Sequence, residues 1–352
     1  VSKRVFVLGA GFSKDVAGFP LTRELAPKVL QRWAHADPGA FAFFQKHVPA
    51  AMTSDLELLM TYLSEELPWG DRKDSSQRLA WYFGIARMLA AEFKDLEDRH
   101  ASHNAPPILK AAKTLVDSWS PNDTVITFNY DTLVEHLWKL DANEASEDDL
   151  YPIPMTRIDQ RIPSGVGLTL DDGGYYIGFK LLKLHGSVHW LVPTDMSPGE
   201  DRLYWHPTRP YSSQWHWSEE KARKYQEGLE PFIIPPVLEK SRFYRHSVVR
   251  SQWSKARTAL TEAAEVFIIG YSLPAADLMA QMLFRETLGG NNQRVIVVTQ
   301  NNGAPADAPD STALFKMRFM SVLSHGTPQF VVANPGESSI QKMIHECPGI
   351  VS

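Results

Sequence analysis

A single cysteine, Cys347, in 352 residues excludes an intramolecular disulfide and any zinc cluster built on cysteine. Cysteine this sparse fits a reducing, intracellular compartment. No apolar run approaches the roughly 20 residues that span a bilayer, and the first residues carry no signal-peptide core. A cytoplasmic protein with no membrane partner is expected. Charge of one sign is also scarce: the formal net charge is −5, which argues against direct nucleic-acid binding as the main task. Internal repeats and low-complexity tracts are missing too. What remains is ordinary globular composition, in a chain long enough for two domains or one elaborated domain with a full-sized core.

The most informative stretch is Val125-Ile126-Thr127-Phe128-Asn129-Tyr130-Asp131. β-Branched residues run into an amide and a carboxylate, and Thr132-Leu133-Val134-Glu135-His136-Leu137 resumes at helical spacing. In a parallel sheet such strand ends border the ligand crevice, so Asn129 and Asp131 are site candidates. Asp131 serves equally as a helix cap and Asn129 as a turn residue.

The chain opens similarly, with Arg4-Val5-Phe6-Val7-Leu8 before Gly9-Ala10-Gly11-Phe12-Ser13. Glycine there permits positive φ and lets a pyrophosphate approach the amides at the next helix start. Lys14 stands where a dinucleotide fingerprint has its third glycine, and no strand-ending acid follows at the usual interval, which disfavours an ordinary dehydrogenase. A plain tight turn is the other reading. Two further strands end in the same way: Phe179 to Ser187, through Lys183-Leu184-His185-Gly186-Ser187, and Glu265 to Ser272, through Gly270-Tyr271-Ser272, with Asp277 in the first turn of the next helix. Gln293 to Thr299 and Pro328 to Ala333 complete the strand candidates, before a last helix from Glu337 to about Glu346.

Between the first two strands lies mostly helix: Leu21 to about Trp69, with a capping box Ser54-Asp55-Leu56-Glu57, then Ser76 to about Arg99, then Ile108 to Trp119. Residues 21–120 read as a helical insertion. Asp141 to Asp149 is an acidic surface excursion, and Asp171-Asp172-Gly173-Gly174 signals a hairpin. Residues 190–229, with Trp205, Trp215 and Trp217, have poor periodicity and read as a small irregular module. Glu239 to Ala264 is a helix whose basic residues mark a solvated face. The expected fold is α/β: a Rossmann-like, doubly wound, mostly parallel sheet from residues 1–20, 121–189 and 230–335, all within one domain. The Gly9, Asn129, His185 and Gly270 turns would gather at one sheet edge.

In their order these motifs resemble the sirtuin set of nucleotide motifs, and more closely the SIR2-like domains of bacterial antiphage defence systems. The resemblance spans nearly the whole chain through four or five points. It implies NAD as substrate, with Gly9, Ala10, Gly11, Phe12 and Ser13 at the pyrophosphate. Asn129 and Asp131 would lie beside the nicotinamide ribose, His185 would be the general base, and Gly270, Ser272, Thr299 and Asn301 would border the adenosine half. It implies an NAD glycohydrolase that depletes NAD in an infected cell, a homo-oligomer, and a defence-system partner such as an ATPase or nucleic-acid-guided protein. An NAD or ADP-ribose sensor without turnover, and a protein deacylase or ADP-ribosyltransferase, are the alternatives. Two departures count against acyl-lysine peptides: Gly18 to Arg23 only loosely matches the family's arginine-bearing segment, and one cysteine cannot form its four-cysteine zinc module.

The chemistry suits these side chains independently of family. Nicotinamide leaves as a neutral molecule from a cationic ring, so the enzyme must stabilise a developing oxocarbenium ion and present a nucleophile. An asparagine orients water or a ribose hydroxyl without titrating, and a histidine takes the proton. A core histidine satisfied by backbone is the structural alternative for His185. His185 and His189 are four apart, but the glycine between them and the lack of a third ligand give no expectation of a metal.

Overall fold

The first strand shows how the sheet is specified. In Arg4–Leu8 (β1), Phe6 and Leu8 enter one core while Val5 and Val7 enter another. Side chains alternate across a strand, so both faces of this one are covered. The same division separates Val125 from Ile126, Leu181 from Leu182, Phe267 from Ile268 and Ile296 from Val297. The computed structural model describes residues 3–101, 107–139, 150–153, 155–157, 178–193, 202–205, 228–235, 244, 246–290, 292–300, 311–323 and 326–351.

The remaining strands are Thr124–Thr127 (β2), Thr156–Arg157 (β3), Lys180–Lys183 (β4), Gly186–Pro193 (β5), Tyr204–Trp205 (β6), Leu229–Ile233 (β7), Glu265–Ile269 (β8), Arg294–Gln300 (β9) and Gln329–Ala333 (β10). Six of them form one sheet in the order β10-β9-β8-β1-β2-β4, every pairing parallel. Counted along the chain, that is the 3-2-1-4-5-6 order of a Rossmann-like doubly wound fold. The expected α/β architecture is present.

Helices Ala10–Ala17 (α1), Thr22–Ala36 (α2), Pro38–His47 (α3), Leu56–Ser64 (α4), Arg72–Ala101 (α5) and Pro107–Asp117 (α6) fill the interval before β2. Leu133–Lys139 (α7) follows it, and Ser247–Glu262 (α8), Leu278–Thr287 (α9), Ser311–Val322 (α10) and Ser339–Glu346 (α11) come later among the described residues. One face of the sheet packs on α8, α9 and α10 through Ala256, Leu260, Phe284 and Phe319. The other packs on the helical interval and α11 through Leu25, Leu89, Leu115 and Met343. Burying each such side chain contributes roughly 1.5–3 kcal/mol.

Several local expectations are corrected. The stretch from Leu21 to Trp69 is broken helix rather than continuous. Pro38 lacks the amide a continuing helix needs, and Asp37 caps a new one by accepting from Ala40 N at 2.9 Å. Asp55, not Ser54, caps α4, its Oδ1 accepting from Glu57 N at 2.8 Å. α10 carried no periodic signal because it is apolar on its outer side too, where Leu314, Met317 and Met320 are exposed. The tryptophan-rich region contributes β6 to a second sheet, ordered β3-β6-β5-β7, in which β5 pairs antiparallel with both neighbours. The apolar stretch at Phe232 therefore belongs to this smaller sheet and not to the parallel one. The acidic run 141–149, the hairpin at 171–174, Trp215 and Trp217 lie outside the described residues. Among the described residues no helix is long and apolar enough to cross a membrane.

Candidate active site

The strand order reverses between β1 and β8, and a parallel sheet opens a crevice beyond such a reversal. Two turns meet there. Gly9 N donates to Ile269 O at 3.1 Å and Gly11 N to Gly270 O at 2.9 Å. A Cβ on Gly9 would lie 2.4 Å from the Tyr271 Cα, and one on Gly11 2.8 Å from the Gly270 oxygen. Gly270 itself has φ +64. This revises the expected role of the first glycine turn: Gly9 is extended, at φ −122, and glycine is needed there because two backbones touch. Gly9 and Gly11 therefore spend their amides on the protein.

A cleft of about 750 Å³ opens over these turns, within the range of nucleotide and cofactor sites. It is lined by Ala10, Gly11, Ser13, Asn129, Asp131, His185, Gly270, Ser272 and Thr299. Those residues, far apart in the chain, are brought together as expected. Two others are not at the wall. Phe12 is wholly buried in the main core, and Gly9 is buried behind Asn129. Asn301 lies outside the described residues.

The orientation of Asn129 follows from its partners. Its Nδ2 donates to Gly9 O and to Ser13 Oγ, both at 2.9 Å. A backbone carbonyl only accepts, so the NH2 group must face Gly9 and both of its hydrogens are used. The side chain therefore offers the cleft its Oδ1, an acceptor. Ser13 passes its own proton on, donating to Asp131 Oδ2 at 2.7 Å. The other oxygen of Asp131 accepts from Leu133 N at 3.1 Å, so Asp131 both caps α7 and anchors the Asn129–Ser13 chain. Burial pushes its carboxyl above the ordinary value, against the pull of Lys183, the Ser13 hydroxyl and the Leu133 amide.

His185 sits where the chain leaves β4 for β5, with its ring edge-on to Phe128 at 5.0 Å. Its Nε2 lies 3.2 Å from Asp277 Oδ2, and both side chains are buried. Tyr271 donates to the same oxygen at 2.9 Å. Burial, then Asp277, raises the Tyr271 phenol well above its usual range, which keeps it a neutral donor. An imidazole backed by a carboxylate is oriented and stabilised as it gains a proton.

Sequence reasoning missed several lining groups. The sequence puts Asp277 in the first turn of α9; it is the N-cap, with its other oxygen 3.4 Å from Ala280 N. Asp55 and Glu57 reach the cleft from α4, so the helical interval supplies part of the wall. An acid that caps a helix carries the same sequence signal whether or not it also faces a pocket. His189 contacts Tyr151 and Ser187, and among the described residues no cluster of His, Cys, Asp and Glu could hold a metal.

No family model matches the chain, and no curated protein matches it. Among solved structures it is similar to a SIR2 homologue in complex with NAD, at 12% identity and a TM-score of 0.45, covering 99% of this chain and 91% of that one. It is also similar to a Sir2 homologue mutant in complex with ADP-ribose, at 14% identity and TM-score 0.34 over 91% of each chain. A third is Sir2Tm bound to a propionylated peptide, at 13% and 0.34, over 99% of this chain and 93% of that one. At such identities and superpositions these likenesses carry no functional weight. The site's own geometry must bear it.

Proposed function

We propose that this chain is an NAD glycohydrolase that cleaves the bond between nicotinamide and ribose, giving nicotinamide and ADP-ribose. The observation that carries this reading is the Asn129 amide. With both hydrogens committed to Gly9 O and Ser13 Oγ, its carbonyl oxygen is a fixed, non-titrating acceptor in the same cleft as the carboxylate-backed His185. The lining sets Glu24, Asp55, Glu57, Asp131 and Asp277 against Lys14 and Arg318, an acidic excess that suits a pyridinium and the positive charge that develops on the ribose as nicotinamide departs. Asn129 Oδ1 orients the attacking water, and His185 takes its proton as the new C–O bond forms. The order of the sequence motifs supports the same substrate. Lack of a four-cysteine module favours water over an acyl-lysine peptide as the acceptor. On this reading the chain acts as an NAD-depleting effector in antiphage defence, as a homo-oligomer with a defence partner.

The test is to mix purified protein with NAD and follow free nicotinamide by chromatography, alone and with candidate activating partners. Release is expected from the wild type and is abolished in Asn129→Ala and His185→Ala. Undiminished release from both variants, or tight binding of intact NAD by calorimetry without product under any condition, rejects the hydrolase; the second result identifies a sensor.

A further inference from the structure

Two positions before His185, at the end of β4, stands a lysine whose side chain is completely buried. Its neighbours Leu181, Leu182 and Leu184 are apolar and buried, as a strand inside this fold requires. Replacing such a lysine–carboxylate pair by apolar residues is often neutral or stabilising, so stability alone does not account for it.

We propose that Lys183 is a positioning residue of the site: its ammonium, lying beneath the Asn129–Asp131 loop, holds the loop and the Asp131 carboxylate so that Asn129 turns its Oδ1 to the cleft. The proposal rests on the hydrolase reading of that cleft. Lys183 Nζ donates to the backbone carbonyl of Asp131 and to Glu135 Oε1, the latter at 2.9 Å. The neighbouring carbonyl, Tyr130 O, is held from the smaller sheet by Ser187 Oγ at 3.1 Å and Val188 N at 3.0 Å. Two consecutive carbonyls of the loop are thus held by Lys183, Ser187 and Val188, none of which lines the cleft.

The charge of Lys183 matters as much as its hydrogen bonds. Gly9 O sets which way the Asn129 amide faces, and Ser13, by donating to Asp131, keeps its own oxygen open to the second amide hydrogen. A protonated Asp131 would donate to Ser13 instead, and the Asn129 hydrogen would then share that oxygen with a second donor. The charged and titratable groups around Asp131 are Glu135 and His136 on α7, Glu97 on α5 and Lys183 on β4. Burial and then Glu135 push the Asp131 carboxyl upward, whereas Lys183 opposes them. Glu135 also accepts from Tyr151 at 2.6 Å, so Lys183 and Glu135 can be neutralised together without emptying the space.

The experiment follows the Asp131 carboxyl directly, by carbon-13 NMR of aspartate-labelled protein with the signal assigned from Asp131→Asn. The double variant Lys183→Met/Glu135→Gln removes both charges. Its Asp131 midpoint is expected to rise by at least about one pH unit, with nicotinamide release falling at least tenfold in kcat and little in KM. Glu135→Gln alone leaves Lys183 facing Asp131 and should lower the midpoint. A folded double variant whose midpoint is unchanged or lower overturns the proposal. If the double variant fails to fold, Glu135→Gln decides: a midpoint that stays or rises overturns it. The carboxyl titration needs no turnover, so a wild type that releases no nicotinamide rejects the hydrolase while leaving Lys183 to be judged by its own measurement.

Discussion

Replacing Asp277 by asparagine separates the chemistry of the site from its folding. Asparagine caps helices about as well as aspartate, and the cap contact to Ala280 N is long, at 3.4 Å. Both oxygens accept, so the amide NH2 must face either Ala280 N or the Tyr271 hydroxyl, and a cost in stability of about 1–3 kcal/mol is expected. The effect on His185 is felt in turnover. A hydrogen bond to a charged group is worth about 1.5–3 kcal/mol, and each 1.36 kcal/mol is tenfold in rate, so losing the carboxylate 3.2 Å from Nε2 should slow turnover about 10- to 150-fold. If the amide nitrogen turns toward the ring, it also forces the wrong tautomer, and the loss grows toward about 10⁴-fold. Nicotinamide release measured beside urea denaturation gives both numbers on one protein. Turnover within threefold of wild type, in a variant that denaturation shows to be folded, would refute the claim that Asp277 backs the general base.

Asn129→Ala should reduce nicotinamide release at least 100-fold while calorimetric affinity for NAD changes only a few-fold; equal losses in both would make Asn129 a binding residue. Gly9→Ala would set a Cβ 2.4 Å from the Tyr271 Cα. Because both sides of that contact are backbone, a loss of about 1–3 kcal/mol in urea denaturation is expected, and an unchanged midpoint would contradict the close approach. The Asp131 carboxyl is raised in the folded protein above its ordinary 3.8. The folded state therefore takes up its proton first on acidification, and the penalty of burying the charge, full above the folded value, fades as pH falls toward 3.8. Wild type should gain stability relative to Asp131→Asn as pH falls from neutrality toward 3.8; a relative loss over that descent would reverse the sign of the argument.

Much of the fold was legible where burial forces composition. Val5 to Leu8, Val125 to Thr127 and Val295 to Val298 are covered on both faces, which leaves β-branched and aliphatic runs that few other structures produce. Asn129, Asp131 and His185 stood out because polar residues close such runs at the strand ends. Pairings at long range were not legible. Nothing in Lys183 announces Glu135, 48 residues away, or in His185 announces Asp277. The smaller sheet escaped notice because two of its strands, Thr156–Arg157 and Tyr204–Trp205, are two residues long and show no alternation. Sequence does not reveal that Gly9 and Gly11 also admit a second turn, since a glycine reads the same whether a ligand or another backbone approaches it.

His185 occupies a seam. Leu184 N donates to Thr127 O at 3.0 Å, tying the chain to the parallel sheet, and Ile234 N donates to His185 O at 2.8 Å, tying it to the smaller one. The imidazole is thus located like a surveyor's mark, at the crossing of two independent sightlines. A loop offers no such fix. Its placement is inherited from both hydrogen-bond ladders at once, and slippage of either against the other would be registered first at that ring.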